Sequence, residues 1–598
     1  MNRLSLAVLV FTAWMTGTTI ASPASAQDSW PRFDDRYPPW GTKPRPERRE
    51  PPAPTRLEKP EPYPAQPSPM APLLAPVERS ELPPVVANDG SGLPFDLWTG
   101  IDLQTAEQLI AGLQLPPPSP ALMELWRRLM TASTSQPPGT SAAQFTALRA
   151  EGLYRSGQMK QLGELLNAAG ARGSDPLLTA FSARYDIAVG QRDSGCSAVK
   201  QAAARKQDLP RQLAGEMLVL AGYCAAAAGN ASAASLAADL AREEGVENAG
   251  LLDALVAVGA GKKPRLPRNG QITPAHYRLL QLAKTVDPAG ITGRADAALL
   301  GSLVLDPGTD NELRVAAAEA AARLSIIAPE DLADIYRAQR FAPPDLANPL
   351  ASRPNSLLRR ALLFQAAEAE RDPTRRAQIL RAFLDEARRA GFYLPALAMA
   401  APLVKSVPRS PDFAWFAESA IEAALAAGDH PSVRAWWVSL DAHSRGSSRL
   451  EHWLALSDIA NAEFDAPRGL HLAAVEALAL QGVFSEPVLH RLATVLDALD
   501  YQVPMDLWHL ASSTPQPNDG HLPETGVLTQ LKEASSRREF ARTVLLVMRT
   551  VGPKGPEGAH IIALGDAIRA LKRVGLEAEA RRLAFEALFN VWPRSASH

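Results

Sequence analysis

The sequence predicts an all-α protein preceded by a disordered, proline-rich segment, on three observations. Beyond residue 85, apolar residues recur at spacings of three and four, with hardly any of the alternating Val, Ile and Thr that a half-buried strand needs. Glycines stand where those periodic stretches end, the position at which a helix C-terminus turns left-handed. Of the 52 prolines, 17 fall between residues 27 and 84, where neither a core nor a ladder can form. The 598 residues are 46% hydrophobic, 21% charged and 6% aromatic, which excludes a collagen, a disulfide-stapled miniprotein and a wholly disordered chain. Lys and Arg number 62 against 64 Asp and Glu, a formal charge of -2, so no long-range field draws in nucleic acid.

Residues 1–26 read as a cleaved export signal: Arg3 is the positive start, Leu4 to Trp14 the apolar stretch, and Ala24-Ser25-Ala26 the small-x-small cleavage site. The mature chain would begin at Gln27. With no Cys here, the thiol needed for a bacterial lipid anchor is missing; the rival reading keeps the stretch as an uncleaved anchor. No later segment reads as an integral membrane span, since the longest apolar run, Leu213 to Ala228, is mostly Ala and contains Glu216. Residues 27–84 read as a polyproline-II-biased spacer reaching at most roughly 180 Å. At its tip Trp30, Phe33, Tyr37 and Trp40 are interrupted by Pro31, Pro38 and Pro39, so they form no helix face. They read as a linear docking motif for a partner, or else as an idle tail.

The helical body divides at Ala342 to Asn355, a stretch with four prolines, into an N-terminal lobe, 85–341, and a C-terminal lobe, 342–598. Pro94-Phe95-Asp96-Leu97-Trp98 and Pro504-Met505-Asp506-Leu507-Trp508 each read as a loop entering a short helix with a buried Trp, the Asp capping its free amides. Taking Gly157, Gly229, Gly428 and Gly575 as origins, the position four before is Leu153, Ala225, Ala424 and Leu571. Five after stand Leu162, Ala234, Val433 and Ala580; nine after, Leu166, Ala238, Trp437 and Ala584; twelve after, Ala169, Ala241, Leu440 and Ala587. These offsets put small or apolar groups on facing sides of two antiparallel helices joined at a glycine. The pattern resembles the helix-turn-helix of a tetratricopeptide repeat, and Gly229-Asn230 and Gly428-Asp429 are similar to that family's turn. The turns do not keep that family's beat of about 34 residues, and its large first-helix aromatics are mostly absent. The resemblance implies a degenerate tetratricopeptide-like α-solenoid of superhelical hairpins.

Cys196 and Cys224, the two cysteines, lie on neighbouring helical stretches with no His between them; in an oxidising compartment they read as a structural disulfide, the alternative being two small buried thiols that never meet. Strong catalytic motifs are missing: no dinucleotide or phosphate loop, no Gly-x-Ser-x-Gly and no His-Glu-x-x-His, so no cofactor is expected. Asp441, His443, Glu451 and His452 fit no standard zinc spacing. Lys262, Lys263, Arg265 and Arg268 read as a solvated basic hinge. Glu418-Ser419 resembles the catalytic pair of lytic transglycosylases, a family whose members can carry an α-superhelical domain; the glycine-rich segment that should follow is absent from Ala420 to Gly428.

The expectation is therefore a non-enzymatic, periplasmic scaffold or adaptor that binds protein partners of a bacterial cell envelope. Cell-wall synthesis, outer-membrane assembly and the flagellar motor are all open to it, and its oligomeric state is not legible in the sequence. The alternative is a peptidoglycan-processing enzyme.

Overall fold

Short polar residues and prolines open the helices, and left-handed turns close them. Asp102, Ser119, Ser141, Asp175, Asn230, Asn248, Asp296, Asp310 and Asp372 each accept a hydrogen bond from a free first-turn amide. Pro120, Pro176, Pro274, Pro329 and Pro373 stand at first helical positions, where a missing N–H costs nothing. That placement is how a chain so rich in proline stays helical. The computed structural model describes residues 89–170, 175–264, 270–351, 358–441, 450–463, 469 and 471–594. Among them the protein is all-α: the extended contacts are two isolated bridges, Ile272 with Ala295 and His521 with Ala559.

All four glycine origins lie in the predicted turn. At Gly157, φ is +76°, the Gln158 amide donates to the Leu153 carbonyl and the Gly157 amide to the Tyr154 carbonyl, the double bond of a Schellman turn. The same pair of bonds recurs at Gly229, Gly428 and Gly575. Five residues after each origin, Leu162, Ala234, Val433 and Ala580 are fully buried; the last of the aligned positions is looser, with Ala169 exposed. The turn also recurs where the glycine alignment is blind, at Ser325, Asp500 and Arg538, whose φ values are +56°, +61° and +55°. Gly157 has a second role: a Cβ there would lie 2.4 Å from the Ala297 carbonyl oxygen, so this hairpin packs backbone to backbone on the helix Ala297–Leu305.

The two Pro-Asp-Leu-Trp stretches part company. Trp98 is fully buried, but 95–100 is a run of turns, and the capping Asp is Asp102. In the second, Met505–Ser512 is a helix whose Asp506 makes no cap, and Trp508 is 40% exposed. Leu507 and Ala511 face inward there, and with 3.6 residues per turn the side chains beside Leu507 point out. The proline-rich stretch from Ala342 begins as a short helix, Pro343–Ala347, followed by a 3-10 turn, Pro349–Ala351.

Helices pair with sequence neighbours, and the first helices also meet the last. The Ser119 hydroxyl donates to Glu586 Oε2 at 2.5 Å and the Ala121 amide to Oε1 at 2.8 Å, so a carboxylate from Glu577–Phe589 caps Pro120–Thr131. Arg128 pairs with Glu579, and the Ala541 amide donates to the Leu97 carbonyl. Glu577–Phe589 is consequently buried on most of its circumference. A solenoid's repeats meet only adjacent ones; these contacts go beyond that scheme. Arg581 and Arg582 extend the network, Arg582 donating to the Leu425 and Ala426 carbonyls that end Ala417–Ala426.

Candidate functional site

A cavity of about 820 Å³ opens among three helices, Ala142–Arg155, Pro176–Ala188 and Arg211–Ala227, and is finished by the 113–118 loop and the start of Ala297–Leu305. Each helix contributes a polar side chain within a mostly apolar wall. Glu151, Tyr154 and Arg155 share one face by their spacing of three and four. Arg184 comes from the second helix, Glu216 from the third, and Asp296 is the N-cap of the fourth.

Arg184 organises the group. Its side chain is 8% exposed; Nη1 lies 2.6 Å from Glu151 Oε2, Nε 2.8 Å from Glu216 Oε2, and its guanidinium carbon sits 4.0 Å from the centre of the Tyr154 ring. Burial works against its charge, but Glu151 and Glu216 outweigh it and hold its pKa above the ordinary range. Glu216 is pushed up by burial against the pull of Arg184, although 44% of its side-chain surface meets solvent. Burial raises Asp296 to about 7 against the Leu299 amide and Arg184, which favour its charged form. Burial likewise raises the Tyr154 hydroxyl. Carboxyls shifted upward inside a ligand-sized cavity are the usual mark of a binding or reactive site.

The Asp296 shift has a sign that can be checked. Its folded pKa exceeds the unfolded value of 3.8, so its contribution to stability is complete below that value and is lost progressively as pH rises through about 7. The buried histidines His276, His430 and His452 shift downward and oppose this trend, so the comparison must be with a variant. Asp296→Asn keeps a capping side chain; between pH 5 and pH 8 its stability relative to the parent should rise by on the order of 2 kcal/mol. Thermal melts of both proteins at four pH values measure it, and parallel curves would refute the shift.

A second cavity of about 620 Å³ flanks the other side of Gly157 and Gly301. Arg127 at its edge is exposed and paired with Glu124, and Arg582, which also lines it, is committed to the Leu425 and Ala426 carbonyls.

Of the residues singled out in the sequence, Cys196 and Cys224 are brought together, on Arg192–Ala204 and Arg211–Ala227, with sulfurs 1.98 Å apart. Trp30, Phe33, Tyr37 and Trp40, the export signal, Arg265, Arg268 and His443 lie outside the described residues. Glu451 and His452 diverge: Glu451 Oε1 is 3.7 Å from His471 Nδ1, whereas His452 Nε2 donates to the Pro593 carbonyl and its ring stacks on Trp592. Glu418 accepts a hydrogen bond from the Trp453 indole at 3.3 Å. Among the described residues no three His, Cys, Asp or Glu side chains converge as metal ligands. Sequence reasoning missed the cavity; its one visible cue was Glu216, a charge inside the longest apolar run.

No protein-family model matches this chain, and no curated protein or solved structure matches it.

Proposed function

We propose that the protein is an exported adaptor of the bacterial cell envelope, whose body, a degenerate tetratricopeptide-like array, holds protein partners of the cell-wall, outer-membrane or flagellar-motor machinery in the periplasm. The observation that carries this reading is the body itself: helices paired through one recurring turn, with large apolar side chains left on the outside. Met505 is 66% exposed and Trp508 40%, three residues apart on one helix face, and Trp415 is also exposed. Two further observations fit. The cysteine sulfurs stand at bonding distance, compatible with an oxidising compartment, and no helix among the described residues is long and apolar enough to cross a membrane.

Crosslinking in intact cells followed by affinity capture of the full chain tests it. Envelope proteins should be recovered, and replacing Trp30, Phe33, Tyr37 and Trp40 together by Ala should abolish at least one crosslink while leaving the melting temperature within about 2 °C, since the segment that bears them cannot build a core. Release of soluble muropeptides from sacculi by the purified protein, abolished by Glu418→Gln, would replace this reading with the peptidoglycan-processing enzyme.

A further inference from the structure

The 820 Å³ cavity holds an imbalance between acceptors and cations. Five charged residues line it, and both positive ones are already engaged by the protein. Arg184 is held by Glu151 and Glu216, and Arg155 donates to the Ile110 and Leu113 carbonyls at 3.0 Å each. Two glutamates against one arginine leave the Arg184 group with an excess carboxyl before Asp296 is counted; burial raises Glu216 and Asp296 toward the neutral form, and a bound cation would hold both ionised. Asp296 spends one oxygen on the Leu299 amide at 2.7 Å, and the Tyr154 hydroxyl has no hydrogen-bond partner among the described residues. The charged groups left facing the cavity are therefore carboxyls; the neutral polar lining, Gln114, Asn248, Gln271, Thr273 and the Tyr154 hydroxyl, carries donors as well as acceptors but no positive charge. Around them the wall is apolar: Leu115, Pro116, Val219, Leu220 and Leu251.

We propose that this cavity is a binding site for a primary amine or guanidinium carried on an apolar stem, the cationic head meeting Glu216 and Asp296 and the stem lying along Val219, Leu220 and Leu251. An anion finds no free cation there. A neutral apolar molecule would cover the carboxylates without pairing them, which costs desolvation that nothing repays. An amine supplies the missing donors at a place where the helices already fix the acceptors, so little has to be ordered on binding. The volume suits one small molecule or a short run of side chains, so the head group can belong to a free amine or to a basic residue of a bound polypeptide. The inference rests on the cavity alone and stands apart from the adaptor reading.

Calorimetric titration of the full chain with 4-phenylbutylamine, 4-phenylbutanol and 5-phenylvalerate tests it, because the three share a four-methylene stem and differ only in the head group. The amine should bind with a sub-millimolar Kd, at least tenfold tighter than the alcohol, and the carboxylate should give no binding heat. Asp296→Asn and Glu216→Gln should each weaken the amine at least threefold, whereas Asp239→Asn, on the exposed face of another helix, should leave it unchanged. An acetyl-Leu-Lys-Leu-amide peptide that binds more tightly than the amine assigns the site to a polypeptide side chain, and one that binds more weakly assigns it to a free amine; both support the site. Carboxylate binding as tight as the amine's, unchanged affinity in both cavity variants, or no binding of amine and peptide up to millimolar concentration would overturn it.

Discussion

Arg278→Met is expected to destabilise the body by about 3–5 kcal/mol, because it strands a buried carboxylate. Arg278 is 2% exposed and Asp306 5%, with Nη1 2.7 Å from Oδ2. The same guanidinium donates from Nε to the Ile187 carbonyl at 2.9 Å and from Nη2 to the Ala188 carbonyl at 2.6 Å. Those carbonyls belong to the last turn of Pro176–Ala188, where Ile187 also accepts from the Gly190 amide and Ala188 lies past the helix's own ladder. One side chain thus neutralises an aspartate and closes a helix end. Removing it leaves a charge and the Ala188 acceptor buried together, and water cannot reach them without opening the contact between Pro274–Leu282 and the end of Ala297–Leu305. Adding Asp306→Asn to Arg278→Met should recover more than about 1 kcal/mol relative to additive losses, since the stranded charge is then gone. Arg242→Ala, which breaks an exposed pair with Asp239, should cost at most about 0.5 kcal/mol and serves as the control. Urea unfolding of five proteins, the parent, Arg278→Met, Asp306→Asn, their double variant and Arg242→Ala, reads all of this. A loss below about 1 kcal/mol for Arg278→Met would mean that the pair is solvated in solution.

How much of this was legible in the sequence depends on the range of the interaction. The four glycine turns were, because a Schellman turn is made within six residues and needs a left-handed position that glycine fills without strain. The recurrences at Ser325, Asp500 and Arg538 were not, since there the surrounding packing holds a non-glycine residue in the same conformation. The export signal and spacer are expectations from composition alone and lie outside the described residues. Asp506-Leu507-Trp508 misled because a five-residue likeness says nothing about which face of a helix meets the core. The cavity was least legible: Glu151, Arg184, Glu216 and Asp296 come from four separate helical stretches, and only Glu216, inside an apolar run, looks unlike a solvated surface charge in the sequence. Ser119 and Glu586 likewise meet across nearly the whole chain, a contact that local periodicity does not encode.

Replacing Cys196 and Cys224 together by Ser should lower the stability of the body by about 3 kcal/mol, the loop-closure entropy of a segment of this length in the chain-entropy model. The two residues are 28 apart in sequence, on Arg192–Ala204 and Arg211–Ala227, joined through the short 3-10 turn Lys206–Asp208. Besides the cross-link, the first of these helices is held through Gly195 packed closely on Ile187 and the Ser194 hydroxyl donating to Asp186; its buried residues, Gly195, Val199 and Ala202, are small, so each contributes only a modest area of apolar contact. Without the cross-link it should open locally before the rest of the body does. Amide exchange should therefore accelerate across 192–204 in the double Ser variant, while Phe540–Val551 and Ile561–Arg573, packed through large aliphatic side chains, keep the parent's protection. Thiol titration of denatured, unreduced parent protein from an oxidising compartment should find no free thiols, and two after reduction. Two free thiols before reduction, or exchange in 192–204 indifferent to the substitution, would show that packing of the small residues alone holds this helix pair.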